Sequence, residues 1–425
     1  MMRVASRSLV AFTLVVAAGL VAGSPRGVRA QTPAPPSTID EVVARFLARN
    51  LALEAARHRV DAARAEQIAA PLRPNPTLTL SAENLKFAGP TPAGELYEVG
   101  ATYSHPIERG DKRRYRREVA DATVAVAEAE LAETLGQRLL DVKRAFYEGG
   151  LARRNVEQAA DNLRTFDELV RVTEARFKEG AAAEGDVLKV RLERARLENA
   201  VAHARLAQRQ AGIRLLDLLG ETDFSSAGAV SGDPTLAVVS IPDAADLKAA
   251  ALQRRPSIRA AEQSVALAER KLALERARDT ADVAPFVGLR RVGENSTVLV
   301  GIAIPLPIID RNQGGIARAA AEEKIARTEL ALRRNRVLAE VEVAYQAWQS
   351  ARQRMTAYET GLLRQADESQ TIALRAYQEG AVDLIGYLEA QRTRAEIRQQ
   401  YLQSLLDARA ALLVLEQATG AELAR

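Results

Sequence analysis

The sequence predicts a mainly α-helical chain that also contributes strands to a transmembrane β-barrel. Three observations carry this expectation. Aromatics make up 4% of the residues, about half the usual share, while Ala, Leu, Glu, Arg and Gln dominate, which suits long helices with thin apolar seams. Two stretches, 111–178 and 313–378, contain no proline and place apolar residues at heptad spacing. The whole arrangement of strands and helices, moreover, occurs twice.

Residues 1–30 stand apart from the rest. Arg3 and Arg7 precede an apolar run from Leu9 to Val21, and Val28-Arg29-Ala30 is a small-residue cleavage site, so the segment reads as a secretory signal peptide. The run is shorter than the roughly 20 residues of a membrane-spanning helix, which argues against an anchor. The segment holds Arg3, Arg7, Arg26 and Arg29 and no acid; without it the 59 basic residues fall to 55, equal to the 55 acidic ones. The pI of about 9.3 therefore signals no nucleic-acid partner, and the interspersed charges read as solvated helix faces. Cysteine is absent, which excludes disulfides, thiolate metal sites, cysteine nucleophiles and lipidation at an N-terminal cysteine. An exported chain of this kind is held by packing or by oligomerisation. Residues 31–38 form a flexible proline-rich lead-in.

A first structural repeat is placed at 39–220. It opens with an amphipathic helix from Ile39 to about Ala70, capped by Ser37 or Thr38 and ended by Pro71, Pro74 and Pro76. Strands at 76–87 and 96–106 follow from the period-two alternation around Thr77-Leu78-Thr79-Leu80 and Val99-Gly100-Ala101-Thr102-Tyr103. Each is roughly ten residues long with one apolar face, the length of a tilted membrane strand. In the long helix 111–178, Val156, Leu163, Val170 and Phe177 recur every seven residues, and such a helix is about 100 Å long, too long for a compact domain. Gly149-Gly150 either kinks this helix or interrupts it, and the sequence leaves the choice open. A reversal at 179–186 has glycines that suit a helix end and Asp186 to start the next helix, 186–219.

Residues 221–242 have turn chemistry, with one candidate strand from Leu236 to Ile241, and read as a linker or equatorial segment. The second repeat, 243–420, keeps the same order: a helix broken at Pro256, strands 284–292 and 297–306, the long helix 313–378, and a helix at 384–419 before the tail 421–425. Phe177, Gly180, Leu188, Ala195, Leu206, Leu215 and Gly220 match Tyr377, Gly380, Leu388, Ala395, Leu406, Leu415 and Gly420 at one offset without a gap. This is a tandem duplication rather than composition bias.

In each half the two shorter helices together equal the long one and stack end to end beside it. Four strands do not close a barrel, and an open edge in lipid leaves backbone groups unpaired. The smallest bacterial barrels have about eight strands, so other copies of the chain must complete this one; two suffice, and three leave a lumen. The helices then pack side by side around water. Val298, Val300, Ile302 and Ile304 are expected to face lipid, Pro305 and Pro307 to end the ladder, and Asp310 and Asn312 to cap the long helix at the barrel-to-helix joint.

The run from Pro305 to Ile316 (PLPIIDRNQGGI), the Asn75-Pro76-Thr77-Leu78 run before the first strand and the two Phe/Tyr-x-x-Gly reversals together resemble the TolC-type outer-membrane factors of tripartite efflux systems. Within them the likeness is to the CzcC-like branch, which serves heavy-metal pumps of the resistance-nodulation-division (RND) type. It covers essentially the whole chain after residue 30. The resemblance implies a homotrimer with a twelve-stranded barrel in the outer membrane of a Gram-negative bacterium and a helical tunnel in the periplasm. It implies passive export of heavy-metal cations in complex with a periplasmic adaptor (membrane fusion) protein and an inner-membrane RND pump. Arg176, Phe177, Gly180, Arg375, Tyr377 and Gly380 fall on the adaptor-contacting tips, and Asp186 and Glu389 fall near the tunnel constriction. Asp186 also reads as a plain helix start, Glu389 as a solvated helix residue and the tip aromatics as seam packing. Val382 and Gly386 stand where some members carry polar or charged gating groups, so an identical latch is not implied.

No catalytic constellation stands out, and the chain is not read as an enzyme. His58, His105 and His203 are isolated, the 3 methionines are too few for a thioether site, and no phosphate loop appears. No cofactor or resident metal is expected; if metal ions are the cargo, their selection lies in the pump. Drug efflux or type I protein secretion is the alternative cargo reading. A periplasmic adaptor or coiled-coil structural protein is the alternative class, but an adaptor has one hairpin between β-rich halves, and this chain has two hairpins and two strand pairs.

Overall fold

The computed structural model describes residues 38–85, 97–229, 232–233, 235 and 240–423. The segment read as a signal peptide, nearly all of the lead-in, most of the candidate strand at 236–241 and the last two residues lie outside them. The chain opens with α1 (Ile39–Arg49) and α2 (Leu51–Ala69), where the sequence reading has one helix. They part at Asn50, whose Oδ1 accepts from the Leu53 amide and whose Nδ2 donates to the Leu218 carbonyl at 2.7 Å. Strands β1 (Thr77–Glu83) and β2 (Glu98–Ser104) follow, then the long α3 (Lys112–Lys178) and α4 (Glu184–Leu218). The second half runs through α5 (Ala244–Arg254), α6 (Pro256–Arg278), β3 (Ala284–Val292), β4 (Asn295–Ala303), α7 (Gln313–Ala357), α8 (Leu363–Gln378) and α9 (Leu384–Thr419). A π-helical turn, Tyr358–Leu362, joins α7 to α8.

Helix α3 passes through Gly149-Gly150 without a break. The glycine at 150 serves a close approach: a Cβ there would stand 1.5 Å from the carbonyl oxygen of Gly232. Gly212 of α4 is crossed in the same way, its Cβ position lying 1.8 Å from the carbonyl oxygen of Ala227. The described part of 221–242 is therefore a strap pressed against two helix backbones.

Helices α1, α2 and α4 all pack on α3, and α5, α6 and α9 all pack on α7. The end-to-end joints are built alike in the two halves. Helix α4 ends at Gly220 (φ +75°), against the Arg49 carbonyl and the α1–α2 break; α9 ends at Gly420 (φ +69°), against Arg254 and Arg255 at the α5–α6 break. Proline at the first position of α6 lacks the N–H that would continue α5, which fixes the second break. Helix α6 also packs on α3, and α9 bridges α3 and α7, so the halves share one body. The apolar core is strung along this body as separate clusters. Phe46, Phe146, Leu215 and Leu405 meet at the equator, Ile258, Val341, Trp348 and Leu412 lie along α7, and Phe166, Val190, Tyr377 and Tyr387 lie near the hairpin tips.

The strands form one antiparallel sheet in the order β1-β2-β3-β4. Its register lines Leu78, Tyr103, Val287 and Val300 in one row, and Leu80, Ala101, Leu289 and Val298 in another. The alternate rows are Thr79, Thr102, Gly288 and Leu299, and Ser81, Gly100, Arg290 and Thr297. Because side chains alternate with period two, one face is apolar and the other mostly small or polar, with Arg290 paired to Glu98. The strands are 7, 7, 9 and 9 residues long, shorter than the roughly ten of the sequence reading. Strand β1 stops where Asn84 turns left-handed (φ 56°), and β4 stops before Pro305 and Pro307, which cannot donate to a ladder. No described helix is long and apolar enough to cross a membrane.

Candidate functional site

The two hairpin tips are built by one backbone scheme. The amides of Gly180 and Gly380 donate to the carbonyls of Phe177 and Tyr377, and those of Ala181 and Ala381 reach back to Arg176 and Ala376, both at 2.8 Å. This wrap over the last helical carbonyls needs a left-handed residue, which glycine supplies at φ +77° and +75°. Nothing lies within 4 Å of the Cβ position at either glycine, so both tips present open surface. The aromatics before them diverge. Phe177 is 43% exposed, whereas Tyr377 is 8% exposed and stacked on Tyr387 at 5.8 Å, with the Arg176 guanidinium 5.4 Å above its ring. Tyr377 is thus the packed anchor that ties the first hairpin's end to the second, while Arg375 is exposed beside it.

The helix starts after the tips differ from the sequence reading. Asp186 does not cap α4: the chain turns helical at Glu184, a cap must precede that point, and the cap position is Ala183, with no side-chain bond. Asp186 sits in the first turn and pairs with Lys189 at 3.3 Å. In the second hairpin Asp383 does cap, accepting from the Gly386 amide at 2.9 Å. Glu389 is exposed on α9 next to Arg392, and no bond joins it to Asp186.

Charged contacts that sequence reasoning missed hold the hairpins. Asp167 pairs with Arg194 at 2.7 Å and Asp367 with Arg394 at 2.6 Å, repeat-equivalent positions, and Arg398 adds a second cation to Asp367. The recurrence of an Asp and an Arg 27 residues apart at the repeat offset is the signal that marks them. Between hairpins, Arg392 of α9 grips Glu193 of α4 at 2.7 Å. Burial pushes the Glu193 carboxyl up, but Arg392 and Arg196 outweigh it and hold the group below its ordinary value. Burial likewise raises Asp367, and its two arginines more than reverse the effect.

At the second barrel-to-helix joint Pro305 and Pro307 are exposed. The expected capping by Asp310 and Asn312 is corrected. Asn312 occupies the cap position in a left-handed conformation (φ 58°), and although its Oδ1 lies over Gly315 in the first turn of α7 it makes no cap bond. Its Nδ2 instead donates to the Glu275 carbonyl and carboxylate at 2.8 and 2.7 Å, tying the joint to α6, while Asp310 accepts from the Asn312 amide at 2.8 Å. At the first joint Arg116 is the fastener that the sequence did not reveal. It clasps Glu108 with two nitrogens and donates to the carbonyls of Ala70 and Leu72 at 3.3 and 3.0 Å, gathering the α2–β1 turn onto α3. Lys112 and the Arg109 amide both bind Asp282. Burial raises that carboxyl, and these two donors bring it below the usual carboxylate range. Among the described residues no group of three or more His, Cys, Asp or Glu side chains is arranged to hold a metal ion.

A sheet with an apolar outer and a polar inner face, continued by two long antiparallel hairpins, defines a channel protein of the barrel-and-tunnel class. The outer membrane efflux protein family model matches the chain twice, over residues 42–221 and 247–421, and the chain belongs to that family. It is 25% identical over 374 residues to the cobalt-zinc-cadmium resistance protein CzcC of Cupriavidus metallidurans, covering 86% of each chain. It is 30% identical over 309 residues to the nickel and cobalt resistance protein CnrC of the same organism, covering 71% of this chain and 70% of that one. The crystal structure of the outer membrane protein VceC from Vibrio cholerae has the same fold, with a TM-score of 0.75 at 19% identity over 91% of this chain and 96% of that one. Efflux across the outer membrane of a Gram-negative bacterium is therefore the function of the chain, and its two halves are two copies of the family's unit.

Proposed function

We propose that three copies of the chain assemble into one channel, through which heavy-metal cations leave the periplasm with the help of a periplasmic adaptor and an inner-membrane RND pump. The observation that carries this reading is the four-stranded sheet with one apolar face, one polar face and β1 and β4 at its edges. Edge backbone groups left unpaired in lipid cost several kcal/mol each, so the edges must meet other copies. Three copies bring together twelve strands around a lumen lined by Thr79, Thr102 and Arg290, with the Leu78 and Leu80 rows against lipid. Below the sheet, α2 against α3, α3 against α6, and α6 against α7 lie side by side, which supports a continuous tunnel wall.

The open surface at Gly180 and Gly380, flanked by Arg176, Phe177 and Arg375, is assigned to the adaptor. Asp186 and Glu389 are assigned to the narrow end of the tunnel, and the Arg392–Glu193 clasp to holding the two hairpins together there. Metal cargo is supported by the metal resistances named for CzcC and CnrC. A deletion strain tested for tolerance of zinc, cobalt, cadmium, nickel and copper is expected to lose tolerance of at least one. Unchanged tolerance of all five, with new sensitivity to drugs, contradicts the cargo assignment and favours drug efflux.

A further inference from the structure

We infer that the first barrel-to-helix joint carries a binding site for the phosphate of an anionic phospholipid in the periplasmic leaflet of the outer membrane. The inference rests on the reading that the apolar face of the sheet meets lipid. A cavity of about 520 Å³ opens between the α2–β1 turn and the segment from His105 to Arg117. Its charges do not balance. Glu108 is taken by Arg116, Asp282 by Lys112, and Asp111 by Arg114. The side chains of Arg73, Arg109, Arg113 and Arg117 line the same cavity with no anionic partner among the described residues. Arg113 and Arg117 stand one helical turn apart on the start of α3, Arg109 lies just before the left-handed Gly110 and Asp111 that lead into it, and all three are exposed.

The position of the cavity says which anion it suits. The β2–β3 ladder continues past Ser104, with the His105 amide donating to Pro285 and the Ile107 and Val283 backbones exchanging bonds at 2.7 and 3.2 Å. Side-chain alternation then puts His105 and Ile107 on the side of Tyr103 and Val287, the apolar face. Both residues line the cavity, so it opens where the lipid-facing band gives way to four uncompensated cations. Basic residues just beyond a membrane-spanning apolar band are the arrangement that recognises anionic headgroups. The site takes the phosphate on the arginines and lays the acyl chains against Ile107 and Tyr103. The second joint is different in kind: there Leu306, Ile308 and Ile309 are 72%, 73% and 89% exposed.

The test is native mass spectrometry of the whole protein purified in detergent and offered phosphatidylglycerol, phosphatidylcholine or inorganic phosphate in separate arms. The wild type is expected to retain phosphatidylglycerol in preference to phosphatidylcholine. Since a cation near an anionic surface is worth roughly fivefold in affinity, Arg113→Gln/Arg117→Gln should lower phosphatidylglycerol retention about thirtyfold, while Arg318→Gln on α7 leaves it unchanged. Equal retention of the two lipids, retention unaltered in the double variant, or displacement of the lipid by inorganic phosphate at equal concentration overturns the proposal. So does a double variant that loses its oligomer, because the arginines would then serve a neighbouring copy. Conductance of the double variant in planar bilayers is read alongside: normal conductance with lost lipid retention supports the site, and normal conductance with unaltered retention rejects the site while leaving the channel reading intact.

Discussion

At Gly180 and Gly380 the backbone is left-handed and the space for a Cβ is empty, whereas at Gly150 that space is filled by the Gly232 carbonyl. The two kinds of glycine therefore respond differently to alanine. Gly180→Ala and Gly380→Ala should each cost about 1–2 kcal/mol, the strain of a left-handed L-residue, and leave assembly intact. Gly150→Ala forces backbone from backbone and should cost about 3 kcal/mol or more. Thermal unfolding of the detergent-solubilised variants checks this order, and equal losses at 150 and 180 would contradict the close approach at the strap. The ion pairs make a separate prediction. Glu193 and Asp367 titrate below their ordinary values of 4.5 and 3.8 when folded. Their stabilisation is thus complete at neutral pH and is lost as the pH falls from about 4 through the depressed folded values. Hydrogen-exchange protection, taken relative to the intrinsic rate at each pH, should fall in the tip-proximal parts of α4 and α9 over that range, and Glu193→Gln should weaken the pH dependence. A flat profile in the wild type would remove the clasp from the account.

The elements that sequence reasoning found are those written in a period. Heptads in α3 and α7 and alternation in β1 to β4 are properties of consecutive residues, so they survive without tertiary information. What was not legible depends on contact between distant residues. Asn50 interrupts the first helix because Leu218 is there to receive its amide, and nothing in 39–70 announces Leu218. Gly149-Gly150 reads as a possible kink until Gly232 is placed on it. The repeat itself misleads at the helix starts, since Asp383 caps and its counterpart is Ala183. Asn312 has the composition of a cap and serves instead as a tie to α6 through its Nδ2. Arg116 and Asp282 escaped notice because their partners come from other turns. The sheet edges give a direct prediction, since the chain has no cysteine to interfere. Within one sheet β1 and β4 are three strand spacings apart, about 14 Å, beyond the roughly 7 Å that a disulfide spans. Cysteine pairs scanned along β1 and β4 should therefore cross-link only between copies, giving dimer and trimer bands on denaturing gels. A monomer that closes an internal disulfide would contradict open edges.

At the scale of the whole molecule, the same body does two jobs. Its sheet separates lipid from water by the alternation of two faces, and its hairpins carry that boundary on as helix packed against helix. Neither is complete in one chain. A single sheet of four strands leaves two edges open, and a wall of α2, α3, α6 and α7 leaves two helix faces without neighbours. Family membership and the opposed faces agree that the function is passage through the outer membrane. The central claim is that the pore is made by closure among copies, and the mass of the native complex tests it most directly. Native mass spectrometry of the protein extracted from outer membranes in mild detergent should show three chains per particle. A particle of one chain would contradict the account, since a four-stranded sheet alone encloses no channel.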